Sequence, residues 1–303
     1  FRNAAGFEGP TVIHVLTEKG RGYGPAENDP IKRLHDIGKP KPESYTAAFT
    51  EILIKEAENR SDLVAITAAM PDSTGLLPFS ERFPERFFDV GIAEQHATTA
   101  AAGMAMGGLR PVIAVYATFL NRAFDQINFD VALHNQPVIF CIDRAGITGP
   151  DGASHHGLLD MMLLSKVPGM TMFAPSSYQE LQQMFSDALE ITDGPIAIRY
   201  PRTPAPSVEE AEVGKGIRAR HVSEGKDVCI LSVGKMLPEA KEAAELLSAH
   251  GLTCSIWDVR CITPLDNEMI VDAHGHKVVV TIEDGVSEGG VGSAISNMLQ
   301  NLP

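Results

Sequence analysis

From Ser44 onward the apolar positions switch repeatedly between two periods. Tyr45–Asn59 repeats apolar residues at helical spacing, and Leu63–Ala69 follows as a short, nearly continuous apolar run. The same pairing recurs three times: Ile92–Gly107 before Pro111–Tyr116, Leu120–His134 before Pro137–Arg144, and Tyr178–Ile191 before Ile196–Tyr200. PVIAVY and PVIFCID carry no polar alternation, which is the mark of parallel strands covered on both faces. This predicts a doubly wound, mostly parallel α/β sheet. Beyond a Pro- and Glu-rich stretch, PRTPAPSVEEAE, the pattern resumes. Strand-like VCILSVG, helix Pro238–His250, strand Thr253–Val259, a short helix near Asp266–Ala273, strand Lys277–Ile282 and a glycine-opened helix at Gly289–Leu299 predict a second, smaller α/β domain.

The start of the chain breaks this rhythm. Thr11–Thr17 (TVIHVLT) reads as a strand, and KGRGYGPAENDP and GKPKPES then read as linker. A single strand without a partner does not make a domain. The segment is therefore expected to be the end of something upstream, and the chain a fragment. The expected division is 1–43 for this tail and linker, 44–203 for the doubly wound domain, and 204–303 for the smaller domain, itself expected to be truncated.

Composition narrows the functional classes. With 44% hydrophobic and 21% charged residues, the chain has the makeup of an ordinary globular protein. A net charge of -14 argues against nucleic-acid binding, which needs a basic face. No apolar run approaches the roughly 20 residues that span a bilayer. Cys141, Cys229, Cys254 and Cys261 form no CxxC pair, so they are expected to be reduced and mostly buried, with no metal held by them.

The candidate chemistry sits at strand ends. DVGIAEQHATTAAAGMAMGG is dominated by alanine and glycine, so neighbours can approach this helix closely. Glu94 lies in its first turns, and its helical neighbours Gly91, Val90, Ala97 and Thr98 offer no local cation. Two readings are open: an acid favoured by the helix dipole, or a buried carboxyl inclined to keep its proton. YATFLNRAFDQ places Tyr116 and Phe119 just after an apolar strand, where α/β sites form, with Arg122 following. DRAGITGPDGASHHG then puts Arg144, Asp151, His155 and His156 on one glycine-rich loop, suited either to an anionic substrate or to solvation. Zinc is a weaker reading of the adjacent histidines. Arg202, in RYPR, is either a phosphate clamp or a surface arginine, and His14 has the alternation of a core histidine.

DVGIAEQH, YATFLNRAFDQ, DRAGITGPDGASHHG and AIRYPR, in this order and spacing, resemble the 1-deoxy-D-xylulose-5-phosphate synthase family of transketolase-like enzymes. HVLTEKGRGYGPAENDP resembles the end of that family's first domain, and VVVTIEDGVSEGGVGSAI its third. The loop wording separates the chain from transketolases and from 2-oxo acid dehydrogenase beta subunits, the alternative thiamine enzymes; a non-catalytic domain keeping the fold is a further alternative. The resemblance implies a pyrimidine-binding domain for thiamine diphosphate followed by a transketolase C-terminal-type domain. It implies Glu94 at the aminopyrimidine ring as a catalytic and cofactor-binding residue, and Phe119 stacked on that ring. It further implies Tyr116, Arg144, Asp151, His155 and Arg202 around the acceptor substrate and its phosphate, with His155 and His14 counted as catalytic. The implied reaction joins pyruvate to D-glyceraldehyde 3-phosphate with loss of carbon dioxide, feeding isoprenoid, thiamine and pyridoxal precursor synthesis. A homodimer in a bacterial cytoplasm, or in a plastid stroma, is implied as well. The family's GDG-type motif for diphosphate and Mg2+ is not in this sequence. The chain is therefore expected to be inactive without the residues that supply it.

Overall fold

The structure, a computed structural model, describes residues 1–29 and 41–302. Gly38, Lys39 and Pro40 of the GKPKPES linker fall outside the described residues. The chain divides into two compact units, Phe1–Lys39 and Pro40–Pro303.

In the first unit a short helix, α1 (Gly24–Glu27), follows the glycine turns. Thr11–Thr17, expected as a strand, forms none, and Val12 and Leu16 are 94% and 86% exposed. An extended run becomes a strand only when a neighbour takes up its N–H and C=O groups. No such ladder forms among the described residues of this unit.

The second unit holds both sheets. Its strands are β1 (Leu63–Thr67), β2 (Phe87–Asp89), β3 (Arg110–Tyr116), β4 (Ile139–Asp143), β5 (Thr171–Phe173), β6 (Ile196–Arg199), β7 (Arg220–Ser223), β8 (Val228–Ser232), β9 (Cys254–Asp258), β10 (Cys261–Thr263) and β11 (Val278–Ile282). The larger sheet runs β10-β5-β6-β4-β3-β1-β2 and the smaller β11-β8-β9-β7. All pairings in the larger sheet are parallel except β10 with β5. In the smaller sheet only β7 with β9 is antiparallel.

Successive residues of β3 and β4 serve opposite layers. Ile113, Val115, Phe140 and Ile142 pack into one core, and Val112, Ala114, Ile139 and Cys141 into the other. That is why these strands read as unbroken apolar runs. One layer is built by α2 (Tyr45–Asn59), α3 (Leu77–Arg82) and, later in the chain, the amphipathic Tyr178–Glu190 helix. The other is built by α4 (Glu94–Met106), whose Ala97 and Ala101 are fully buried. Ser44 caps α2, its side chain accepting from the Ala47 N–H.

The helix expected over Leu120–His134 is not one helix. It starts three residues earlier as α5 (Ala117–Leu120), tightens to a 3-10 turn at Asn121–Ala123, continues as α6 (Phe124–Gln126), and widens to π-helical winding over Ile127–Ala132. No proline or glycine lies within Ala117–Ala132 to announce these changes; the winding is set by what the segment packs against. A short α7 (Asp160–Leu164) precedes the Tyr178–Glu190 helix, α8, which is capped by Ser177.

Around the smaller sheet pack α9 (Leu237–Ser248), α10 (Asn267–His274) and α11 (Val291–Gln300). The two sheets are stitched together by β10 and by buried charges. Arg260 is wholly buried and donates from Nε to Glu180 Oε2 on α8 at 2.8 Å. Ser176 Oγ donates to Asp258 Oδ2 at 2.5 Å. The C-terminal part of the chain thus completes the larger sheet.

Candidate active site

Tyr116 ends β3, and α5 begins at once, so Phe119 lies within one turn of it. Their rings stack at 5.6 Å between centroids, 16° apart. His155 closes over both, its ring edge-on to Phe119 at 5.3 Å and 6.1 Å from Tyr116. Arg144, one residue past β4, has a φ of 61°, a left-handed conformation that non-glycine residues seldom adopt. This turns its guanidinium over the Tyr116 ring, 4.2 Å from the centroid. Nη1 donates to Ser73 O at 2.6 Å and lies 3.1 Å from Asp143 Oδ2.

Asp143 holds this turn. Its Oδ1 accepts from the Arg144 backbone N–H at 2.7 Å, and its Oδ2 from Thr46 Oγ1 at 2.7 Å. Burial pushes the Asp143 carboxyl above the usual range, against the attraction of Arg144. Asp143 is not among the residues that the sequence singles out, although an acid closing an otherwise apolar strand is a signal that could have found it.

The loop after Arg144 is closed at its neck by Gly146 and Gly157, which exchange backbone hydrogen bonds at 2.8 and 2.9 Å. Thr148 N–H donates to His156 Nδ1 at 3.1 Å, so His156 props the loop while His155 faces the aromatic pair. Asp151 and Arg202 form an ion pair. The structure thus brings Tyr116, Phe119, Arg144 and His155 together, and joins Asp151 to Arg202.

Glu94 opens α4 and is 2% exposed. Its Oε2 has no hydrogen-bond partner among the described residues. The nearest cation is Arg122, with Nη1 at 3.6 Å, an ion contact longer than a hydrogen bond. Helical spacing offers Glu94 no cation; Arg122 arrives from the turn after α5, half exposed. His14 lies in the Phe1–Lys39 unit, exposed to solvent.

All four cysteines are free and buried. One grouping escapes their spacing: Cys229, Asp272 and His276 offer ligand atoms within 4.8 Å of one another. Both His276 ring nitrogens already lie against carbonyls, Asp272 O at 2.9 Å and Gly225 O at 3.1 Å, and Trp257 Nε1 donates to Asp272 Oδ2 at 2.7 Å. No helix among the described residues is long and apolar enough to cross a membrane.

Residues 41–207 match the transketolase pyrimidine-binding domain, and residues 218–302 the transketolase C-terminal domain. The chain is 47% identical over 99% of its length to the 1-deoxy-D-xylulose-5-phosphate synthase of Mycolicibacterium gilvum, and 46% identical to that of Mycolicibacterium vanbaalenii. In both cases it spans 49% of the relative's length. Among solved structures it resembles a split gene transketolase described as an inactive beta4 tetramer, at a TM-score of 0.78 and 32% identity, with 86% of each chain covered. The chain belongs to the transketolase family, in which it carries the pyrimidine-binding and C-terminal domains.

Proposed function

We propose that this chain is the aminopyrimidine-side half of a 1-deoxy-D-xylulose-5-phosphate synthase, organised as 44–203 and 204–303 after a tail of the diphosphate-binding domain. The observation that carries the reading is Glu94, a buried carboxyl whose Oε2 has no hydrogen-bond partner among the described residues and faces only the half-exposed Arg122 Nη1, at 3.6 Å. A buried acid in that state is costly unless a ligand shares its proton. The N1′ nitrogen of an aminopyrimidine is such a ligand, and the Tyr116–Phe119 stack, three residues before the Arg122 that approaches Glu94, is the aromatic surface on which that ring would lie. The residues present therefore fit the pyrimidine end of thiamine diphosphate.

When bound, the cofactor supplies the nucleophilic carbon and the electron sink that decarboxylation of pyruvate requires. Glu94 Oε2 holds or releases the proton at N1′. Phe119 fixes the ring plane. Arg144 and Arg202 present guanidinium forks to the phosphate of D-glyceraldehyde 3-phosphate, which replaces Asp151 as the partner of Arg202. Tyr116, Asp151 and His155 line the acceptor, and the substrate-side role of His14 rests on the family resemblance. The diphosphate and Mg2+ fall to residues outside this sequence, since it has no GDG motif. The isolated chain is inactive in this reading, in keeping with its split-gene structural relative, itself described as inactive. Activity needs the diphosphate-binding half, and the assembly is a homodimer of the complete enzyme. Cytoplasmic isoprenoid, thiamine and pyridoxal precursor synthesis is the setting, in keeping with the bacterial relatives.

Glu94→Gln tests the assignment. In the chain combined with its diphosphate-binding half, exchange of the cofactor's C2 proton, followed by NMR, should fall by about 10²–10⁴, the range a positioned acid–base group contributes. Near-normal exchange would sink the reading. So would calorimetric binding of thiamine diphosphate to the isolated chain as tight as to an intact enzyme.

A further inference from the structure

The geometry points to Asp284, on the smaller sheet's side of the molecule, as a positioning residue that holds the neck of the Arg144–Gly157 loop. The functional weight of this inference rests on the reading that the loop carries substrate contacts. Asp284 comes two residues after β11. Its Oδ1 accepts from Arg199 Nη1 at 2.6 Å, and its Oδ2 lies 3.1 Å from Lys235 Nζ. Arg199 is itself fixed, donating from Nε to Asp160 Oδ2 at 2.7 Å at the start of α7. Glu283 anchors the preceding backbone by accepting from the N–H groups of Val291 and Gly292 at 2.8 and 2.9 Å, at the opening of α11. The Asp284 carboxylate therefore has a fixed base and two cations.

Its remaining face lies against Gly146. A Cβ placed on Gly146 would overlap Asp284 Oδ2 and come within 2.8 Å of Cγ, so the carboxylate occupies the space a side chain would take. Gly146 is the residue that exchanges two backbone hydrogen bonds with Gly157. Gly157 in turn sits against Ala117, next to Tyr116, where a Cβ would overlap the Ala117 methyl. The neck of the loop is thus pinched between Asp284 on one side and the start of α5 on the other. Asp151 and His155 both hang from this neck. Their placement against Arg202 and the Phe119 ring follows from where Asp284 puts Gly146.

The test is Asp284→Asn, which keeps the shape and removes the charge that holds Arg199 and Lys235. Lys235→Gln is the comparison, since it leaves the Asp284–Arg199 pair intact. Amide hydrogen exchange is measured on the chain without cofactor or substrate, so failure of the thiamine reading leaves this arm standing. Amides of residues 146–157 should exchange about tenfold faster in D284N, as expected for loss of a hydrogen bond to a charged group, and less so in K235Q. Unchanged exchange in the loop would overturn the proposal. Equal acceleration across β8, β9 and β11 would also overturn it, because that is the mark of a merely structural pair. In the catalytically active assembly, D284N should raise KM for the phosphorylated aldehyde about tenfold with kcat little changed. A fall in kcat at constant KM contradicts a role in placing the acceptor loop.

Discussion

Asp258 ends β9 where the two sheets meet, and its titration can be read in stability. The carboxyl is fully buried; burial, reinforced by the nearby Glu180 carboxylate, lifts its pKa from the usual 3.8 to about 6, although Ser176, Arg220 and Arg260 pull the other way. A rise of that size corresponds to about 3 kcal/mol between the charged and neutral forms. The folded pKa lies above the unfolded one, so the folded state keeps its proton longer. Stability is therefore lost as pH rises from about 4, and the loss is complete above about pH 7. Asp258→Asn removes this titration while keeping an oxygen to accept from Ser176 Oγ, which lies 2.5 Å from Asp258 Oδ2. Urea unfolding should find D258N more stable than wild type by up to about 3 kcal/mol at pH 8, with the gap narrowing to about half of that near pH 5. A gap that does not change with pH, or a variant clearly less stable than wild type at pH 8, would show that Arg220 and Arg260 outweigh burial and that the reasoning is wrong.

Two further substitutions probe the frame of the site. Asp143→Asn turns one of the two oxygens that accept from Thr46 Oγ1 and the Arg144 N–H into a donor, and should cost about 1–3 kcal/mol in urea unfolding, the range for a buried donor left without its acceptor; an unchanged midpoint would mean that these two hydrogen bonds do not hold the Arg144 turn. Arg110 closes α8 by donating from Nη2 to Ala188 O and Ile191 O at 2.5 and 2.6 Å, and burial pushes its pKa down to about 10. Arg110→Met should lower stability by about 2–4 kcal/mol in thermal unfolding, because two carbonyls lose a charged donor; a loss under about 1 kcal/mol would contradict this.

The site was legible in part. Tyr116 and Phe119, and Arg144 through His155, fall in two short stretches at the C-terminal ends of β3 and β4, so strand prediction alone brought them to the same end of the parallel sheet. The contacts that fix them were not legible. Asp143 looked like a strand end, Ser73 lies in a loop, and Asp284 is more than a hundred residues from the loop it holds.

The alternation of helix and strand and the mostly parallel sheet could be read along the chain, because a side-chain period of 2 or 3.6 is written locally in the residues that obey it. The three-residue strands β2, β5 and β10 are too short to show a period and exist because neighbouring strands pair with them. Tertiary packing also broke the helix expected over Leu120–His134 into four segments with three kinds of winding, left Thr11–Thr17 outside any strand, and carried Arg122 to within 3.6 Å of Glu94. Each of these depends on a partner far along the chain, and a contact between distant residues leaves no period in either segment that makes it.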